Sequence, residues 1–303
     1  MATWAGLEML NHRFIIMVMP IVMLYVSSIF VMAFFKLYHF SKKGHSIPVS
    51  GLMLRSPGES LRKTVEEHNG KLMEYLIVLI ITPAVLCYPL FLLLQRFIKN
   101  YMVIALLLFI IFIFFMIIVW RLINRRNSSR LALDCEMAVG QELNQLMLDG
   151  YRVYHDFPAE EFNIDHVVAG PKGVFAVETK GRSKRDAKRG SAGATVIFDG
   201  QKLHFPGWSE REPIEQSKRQ AAWLSGWLSS AVGEPVSVKP VLALPGWFVD
   251  LRKPGEVLVF DGKNPHLLLR WGNDHPLSES AIKRIAHQLD QRCRNIEPAA
   301  YSK

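Results

Sequence analysis

Apolar and polar positions divide this chain into two contrasting halves. Up to Trp120, three stretches carry no Asp, Glu, Lys or Arg: between Arg13 and Lys36, from Tyr75 to Gln95, and from Asn100 to Trp120. Each has 21 or 22 residues, and as a helix each would cover about 30 Å, the thickness of a bilayer core. The pattern therefore predicts three transmembrane helices at about 14–35, 75–95 and 100–120, the last two joined as a tight hairpin through Arg96 to Lys99. A cleaved signal peptide is a poor alternative for the first, because its apolar run is too long and Phe35-Lys36-Leu37-Tyr38 offers no small-residue cleavage site. Lys36, Lys42, Lys43, Arg55, Arg62, Lys63 and Lys71 lie between the first two stretches, and Arg121, Arg125, Arg126 and Arg130 follow the third. That bias places the N-terminus outside the cell (inner) membrane, with the 36–71 loop and the C-terminal domain in the cytoplasm. No Asp, Glu, Lys, Arg or His sits inside a stretch, which suits a membrane anchor in the lipid bilayer better than a transporter.

After a basic juxtamembrane linker (121–130), the pattern from 131 to 303 is that of an α/β domain. Leu131 to Leu148 has helical spacing and stops at Gly150. Three β-type runs follow: Tyr151 to His155, Asn163 to Ala169 and Val174 to Lys180. Thr195 to Phe205 reads as a hairpin about Asp199-Gly200. Pro213 opens a helix with Leu224, Trp227 and Leu228 on its apolar face. Val236 to Leu244 and Glu256 to Phe260 are further strands. Ile282, Ile285, Ala286, Leu289 and Cys293 mark a closing helix. The order implies helices around a central mixed sheet.

Composition sharpens this division. Of 36 Lys/Arg and 27 Asp/Glu, 10 and 5 precede Arg121, so charge returns to ordinary density only in the second half. Disorder and a disulfide-rich secreted fold are excluded. Cys87, Cys135 and Cys293 are far apart with no CxxC, which implies a reducing compartment and no cysteine-based metal site. No phosphate-binding Gly-rich loop or nucleophile elbow occurs.

Candidate chemistry concentrates in one hairpin. If Gly170-Pro171-Lys172-Gly173 is its turn, Ala169 faces Val174, and counting outward brings Asp165 opposite Glu178. Facing side chains have Cβ atoms about 5 Å apart, and Lys180 returns to the same face as Glu178. Paired hard carboxylates suit Mg²⁺ or Mn²⁺, and the lysine can stabilise charge on a phosphoryl group. An exposed ion-pair cluster worth roughly 0–1 kcal/mol remains the other reading of the hairpin taken alone.

Asp165 followed at a distance by Glu178-Thr179-Lys180 resembles the D-x(n)-(D/E)-x-K signature of the PD-(D/E)xK nuclease superfamily. The wider pattern resembles its nuclease-related domain (NERD) branch. The matching residues are Gly140-Gln141-Glu142 near a helix end, Ile164-Asp165, the Gly173 to Lys180 strand, and Pro213-Ile-Glu-Gln216 opening the next helix. The resemblance implies a restriction-endonuclease-like fold and Mg²⁺- or Mn²⁺-dependent hydrolysis of phosphodiester bonds, with DNA as the expected substrate. It makes Asp165, Glu178 and Glu142 the metal ligands, Lys180 the catalytic lysine, and Gln216 a group that orients lysine or substrate. Arg182, Lys184, Arg185, Lys188 and Arg189 follow directly and could grip a polyanionic backbone. The competing reading is a catalytically silent nucleic-acid-binding or scaffold module.

Overall fold

The computed structural model describes residues 52–82, 101–184, 194–273 and 276–296. Two compact units emerge, one of them built from Val49–Val65 together with Asn127–Pro298. The described residues of the other are helical: 66–82 of helix α1 (Glu59–Thr82) and 101–126 of helix α2 (Tyr101–Leu143). Within it, Arg126 Nε donates to Asn69 Oδ1 at 3.0 Å.

The expected membrane architecture does not stand. Among the described residues, no helix is long and apolar enough to cross a membrane. The first expected span, and the second beyond residue 82, lie outside the described residues. The third is not a separate element. It is the first part of α2, which continues without a break through Arg121, Arg125, Arg126 and Arg130 to Leu143. No proline occurs between Tyr101 and Leu143, so nothing in the backbone chemistry stops the helix at the basic flank. The multi-pass inner-membrane location inferred from the three stretches is withdrawn with them. Residues 121–130 are helical rather than a linker, and the described part of the 36–71 segment forms strand β1 (Met53–Leu54) and the start of α1.

The larger unit is an α/β domain about two sheets. Strands β2 (Arg152–Pro158), β3 (Asn163–Gly170) and β4 (Gly173–Thr179) form an antiparallel meander. β8 (Val238–Ala243) and β10 (Leu258–Phe260) then join β4 in parallel, giving the order β10-β8-β4-β3-β2. A second sheet, ordered β7-β6-β5-β9, contains β5 (Thr195–Phe198), β6 (Leu203–Phe205), β7 (Trp208–Glu210) and β9 (Phe248–Leu251). Helix α3 (Glu212–Val232) crosses from the second sheet back to β8, a short α4 spans Leu267–Trp271, and α5 covers Glu279–Cys293.

β3 and β4 are near-continuous apolar runs because they are covered on both faces. Val167, Val174 and Ala176 point toward Leu224, Leu228, Ile285 and Leu289 of α3 and α5. Val168, Phe175 and Val177 point the other way, toward Leu143, Leu146 and Val153. Each fully buried Leu or Phe contributes roughly 1.5–3 kcal/mol, so these two layers fix the central strands firmly. A 3₁₀ turn (Asn144–Asp149) follows α2 and ends at Gly150, whose φ of 83° is the left-handed cap that glycine permits. Strand β1 pairs with β11 (Arg294–Ile296), so an upstream strap and the end of α5 meet at one edge of the unit.

Candidate active site

The β3–β4 hairpin has the register expected from its turn: Gly170 faces Gly173, Ala169 faces Val174, and the ladder continues to His166 opposite Val177. One step further outward sets Asp165 across from Glu178. Asp165 Oδ2 accepts a hydrogen bond from Thr179 N at 2.6 Å. Lys180 Nζ lies 2.5 Å from Glu178 Oε1. Gln216 Nε2 donates to that same oxygen at 2.9 Å, and Gln220 Nε2 donates to Glu178 Oε2 at 2.6 Å. Gln216 and Gln220 stand four residues apart on α3 and so share one helical face. Glu178 is thus held by three donors although its side chain is only 3% exposed, which satisfies a charge that burial would otherwise penalise.

These groups open into a cleft of about 360 Å³, lined also by Glu136, Arg182 and Ser60. Burial pushes the Asp165 carboxyl well above the usual carboxylate value, and the neighbouring Glu178 and Glu136 charges add to the rise. Thr179 N–H and Lys180 pull it the other way. Glu136 is pushed up to about 8, first by burial and then by Asp156, while the Gly58 N–H that it accepts at 3.0 Å opposes the shift. Carboxyls crowded in this way favour protonation or a cation between them.

Asp165, Glu178, Lys180 and Gln216 therefore converge, but Glu142 does not. Glu142 lies outside the cleft and accepts from Gln145 Nε2 at 2.5 Å. The acidic group that α2 does supply is Glu136. Six residues of helix separate the two, about 9 Å along the axis and a third of a turn around it. Gly140 is accounted for by packing, since a Cβ there would press on Pro57 and His166. Arg182 is committed to Glu210 through two hydrogen bonds of 2.8 Å. Lys184 Nζ sits 5.6 Å from the Trp247 ring centroid. Arg185, Lys188 and Arg189 lie outside the described residues.

Sequence reasoning missed Glu136, Gln220, Asp156 and the strap residues Arg55, Gly58 and Ser60. The four-residue spacing of Gln216 and Gln220 was a usable signal. Asp156 carried none, because its role comes from a backbone φ of 47°, unique among the described non-glycine residues. On the far face of β3, His166 pairs with His155 through their Nδ1 atoms at 2.9 Å. Burial lowers His155 to about 4 and His166 well below its ordinary value. Both are neutral core groups and not part of the cleft.

Among the described residues, no group of three or more His, Cys, Asp or Glu side chains is arranged to hold a metal ion. A hard cation such as Mg²⁺ needs only one or two carboxylates, with water and phosphate oxygens completing its shell. Asp165 and Glu178 supply that donor chemistry, and the crowding that raises the Asp165 carboxyl is what a cation would relieve. A larger cleft of about 690 Å³ near the β5–β6 turn has most of its charges already paired, as in Lys218 with Glu256 at 2.6 Å and Arg211 with Glu215 at 3.0 Å. Chemistry, not size, selects the acidic cleft. No curated protein and no solved structure matches the chain. Residues 132–245, the stretch containing Glu136, Asp165, Glu178, Lys180 and Gln216, match the family model of the nuclease-related domain (NERD).

Proposed function

We propose that the acidic cleft hydrolyses phosphodiester bonds of nucleic acid, with DNA as the substrate, in a reaction that depends on Mg²⁺ or Mn²⁺. The observation that carries this reading is the convergence of Asp165, Glu178 and Lys180 at the open end of one hairpin, inside the stretch that matches a nuclease-related family. Asp165 and Glu178 would hold the cation, which when bound polarises a phosphoryl oxygen and acidifies water.

The side chains divide the remaining work. Gln216 and Gln220 pin both oxygens of Glu178, so its carboxylate presents one orientation. Thr179 N–H fixes Oδ2 of Asp165, and Asp165 lines the cleft. The Lys180 ammonium, beside Glu178, stands where negative charge would build on the phosphate. Glu136, raised to about 8 chiefly by burial, accepts the Gly58 N–H at the helix wall of the cleft. Lys184 and the basic residues after it would contact the backbone, while Arg182 at the cleft wall is held by Glu210.

The test is cleavage of linear and supercoiled DNA and of RNA by the full chain in Mg²⁺, Mn²⁺ or EDTA, beside Glu178→Ala and Lys180→Ala. Metal-dependent cleavage lost in both variants is the expected result. Cleavage that survives either substitution would remove the assignment. Salt-sensitive DNA binding without turnover in any divalent metal would favour the silent binding module.

A further inference from the structure

The strap 52–65 lies far upstream of the family match, yet its side chains enter the acidic cleft. The β2–β3 register pairs His155 with His166 and Phe157 with Ile164, so Asp156 stands across from Asp165. Two carboxylates facing each other on adjacent strands repel. Asp156 does not stay in the ladder. Its φ of 47° is uncommon outside glycine, and it delivers the carboxylate to the strap. There Oδ2 accepts from Arg55 at 2.8 Å and Ser60 N at 3.0 Å, and Ser60 Oγ lies 2.7 Å from Oδ1.

The same strap reaches two more groups of the cleft. Asn163 Nδ2 donates to Ser60 Oγ at 2.6 Å and to Asp156 Oδ1 at 3.0 Å. Asn163 is two residues before Asp165 on β3, hence on the same face. Gly58 N donates to Glu136 Oε1. Residues that were strained or buried at a cost are thereby all referred to one short segment. Strain of this kind persists where the surroundings over-determine it, commonly beside a working site.

We propose that the strap is a positioning element of the hydrolytic site, in which Arg55 and Ser60 draw the Asp156 carboxylate away from Asp165 and, through Asn163, fix where Asp165 points. The inference rests on the reading of the cleft as a phosphodiesterase, but one of its readouts does not. Thr179 N–H is held by Asp165 Oδ2, so its hydrogen exchange reports the position of Asp165 whether or not any bond is cut.

The experiment uses the full chain as wild type, Ser60→Ala, Ser60→Thr and Arg55→Gln, with site-resolved amide exchange, thermal unfolding and steady-state DNA cleavage. In Ser60→Ala and Arg55→Gln, exchange at Thr179 is expected to rise about tenfold while the Val174 to Val177 amides keep their wild-type rates. Under conditions where each variant is fully folded, kcat falls about tenfold with KM within about twofold, and Ser60→Thr restores both. A uniform rise in exchange across the domain, or wild-type exchange at Thr179 in the two variants, overturns the proposal and leaves the strap a merely stabilising segment. If the wild type cuts nothing while Thr179 exchange responds as expected, the positioning stands and the hydrolytic reading falls.

Discussion

Replacing Gln220 by leucine separates the catalytic use of α3 from its structural use. Gln220 is 2% exposed, and its Nε2 gives Glu178 Oε2 a 2.6 Å hydrogen bond. A hydrogen bond to a charged group stabilises by roughly 1.5–3 kcal/mol. The other end of the same amide, Oε1, is buried with no hydrogen-bond partner among the described residues, a liability of about 1–3 kcal/mol. Leucine fills similar space and removes both terms, but it leaves the buried Glu178 Oε2 without its donor, so the fold should lose about 1–3 kcal/mol, a shift of several degrees in Tm. Catalysis has no such compensation. Glu178 keeps Lys180 and Gln216 on Oε1 but loses the anchor on its second oxygen. If the lost 1.5–3 kcal/mol falls on the transition state, kcat drops about 10- to 150-fold with KM nearly unchanged. Urea unfolding gives the stability, and initial rates of duplex cleavage in Mg²⁺ give kcat. A folded variant that keeps its wild-type kcat would refute the argument that Gln220 serves the carboxylate.

Other expectations follow from the same geometry. Burial holds His155 at about 4 against an ordinary 6.5, so it contributes stability that is complete above pH 6.5 and lost as pH falls through 4. The loss is about 3 kcal/mol, and a His155→Gln protein should lack that acid-side decline in urea titrations. Glu136 has the opposite sign: raised to about 8, it contributes stability below pH 4.5 that disappears as pH rises through 8, and Glu136→Gln should flatten that slope. Gly58 has φ 70°, and the Leu133 side chain fills the space a Cβ would need. Gly58→Ala should therefore destabilise the strap by about 1–3 kcal/mol, seen as faster proteolysis within 52–65. Lys184→Ala should reduce the salt slope of DNA binding by about one, measured by titration over a range of NaCl.

The hairpin was legible because its information is local. Gly170 to Gly173 sets the turn, the turn sets the register, and the register carries Asp165 to Glu178 without reference to the rest of the chain. The helix begun near Pro213 and the stop at Gly150 were legible for the same reason: each is decided by one residue's backbone preference. Glu142 misled because a short motif names a residue type without naming the face of the helix. Which glutamate of α2 reaches the sheet depends on how that helix packs, and Leu143 and Leu146 settle it by occupying the core. The strap was invisible because Arg55 and Ser60 meet Asp156 only after some hundred residues of intervening chain. The apolar stretches misled differently. Hydropathy shows where charge is absent but not where a helix ends, and α2 runs on past its basic flank.

The latch formed by β1 and β11 sets the order in which the molecule can be completed. Arg55 N donates to Cys293 O at 3.1 Å, and Arg55 Nε donates to Asn295 Oδ1 across a separation of 240 residues. At about 5–20 residues per second of translation, roughly 12 to 50 seconds pass between the two ends of that contact. A growing chain can pair its acidic hairpin early, since those contacts are close in sequence. Its strap has no partner strand until residues 294–296 have emerged. The cleft is therefore assembled early and its strap secured late, so a nascent chain brings the carboxylates together well before the strap has a strand to pair with.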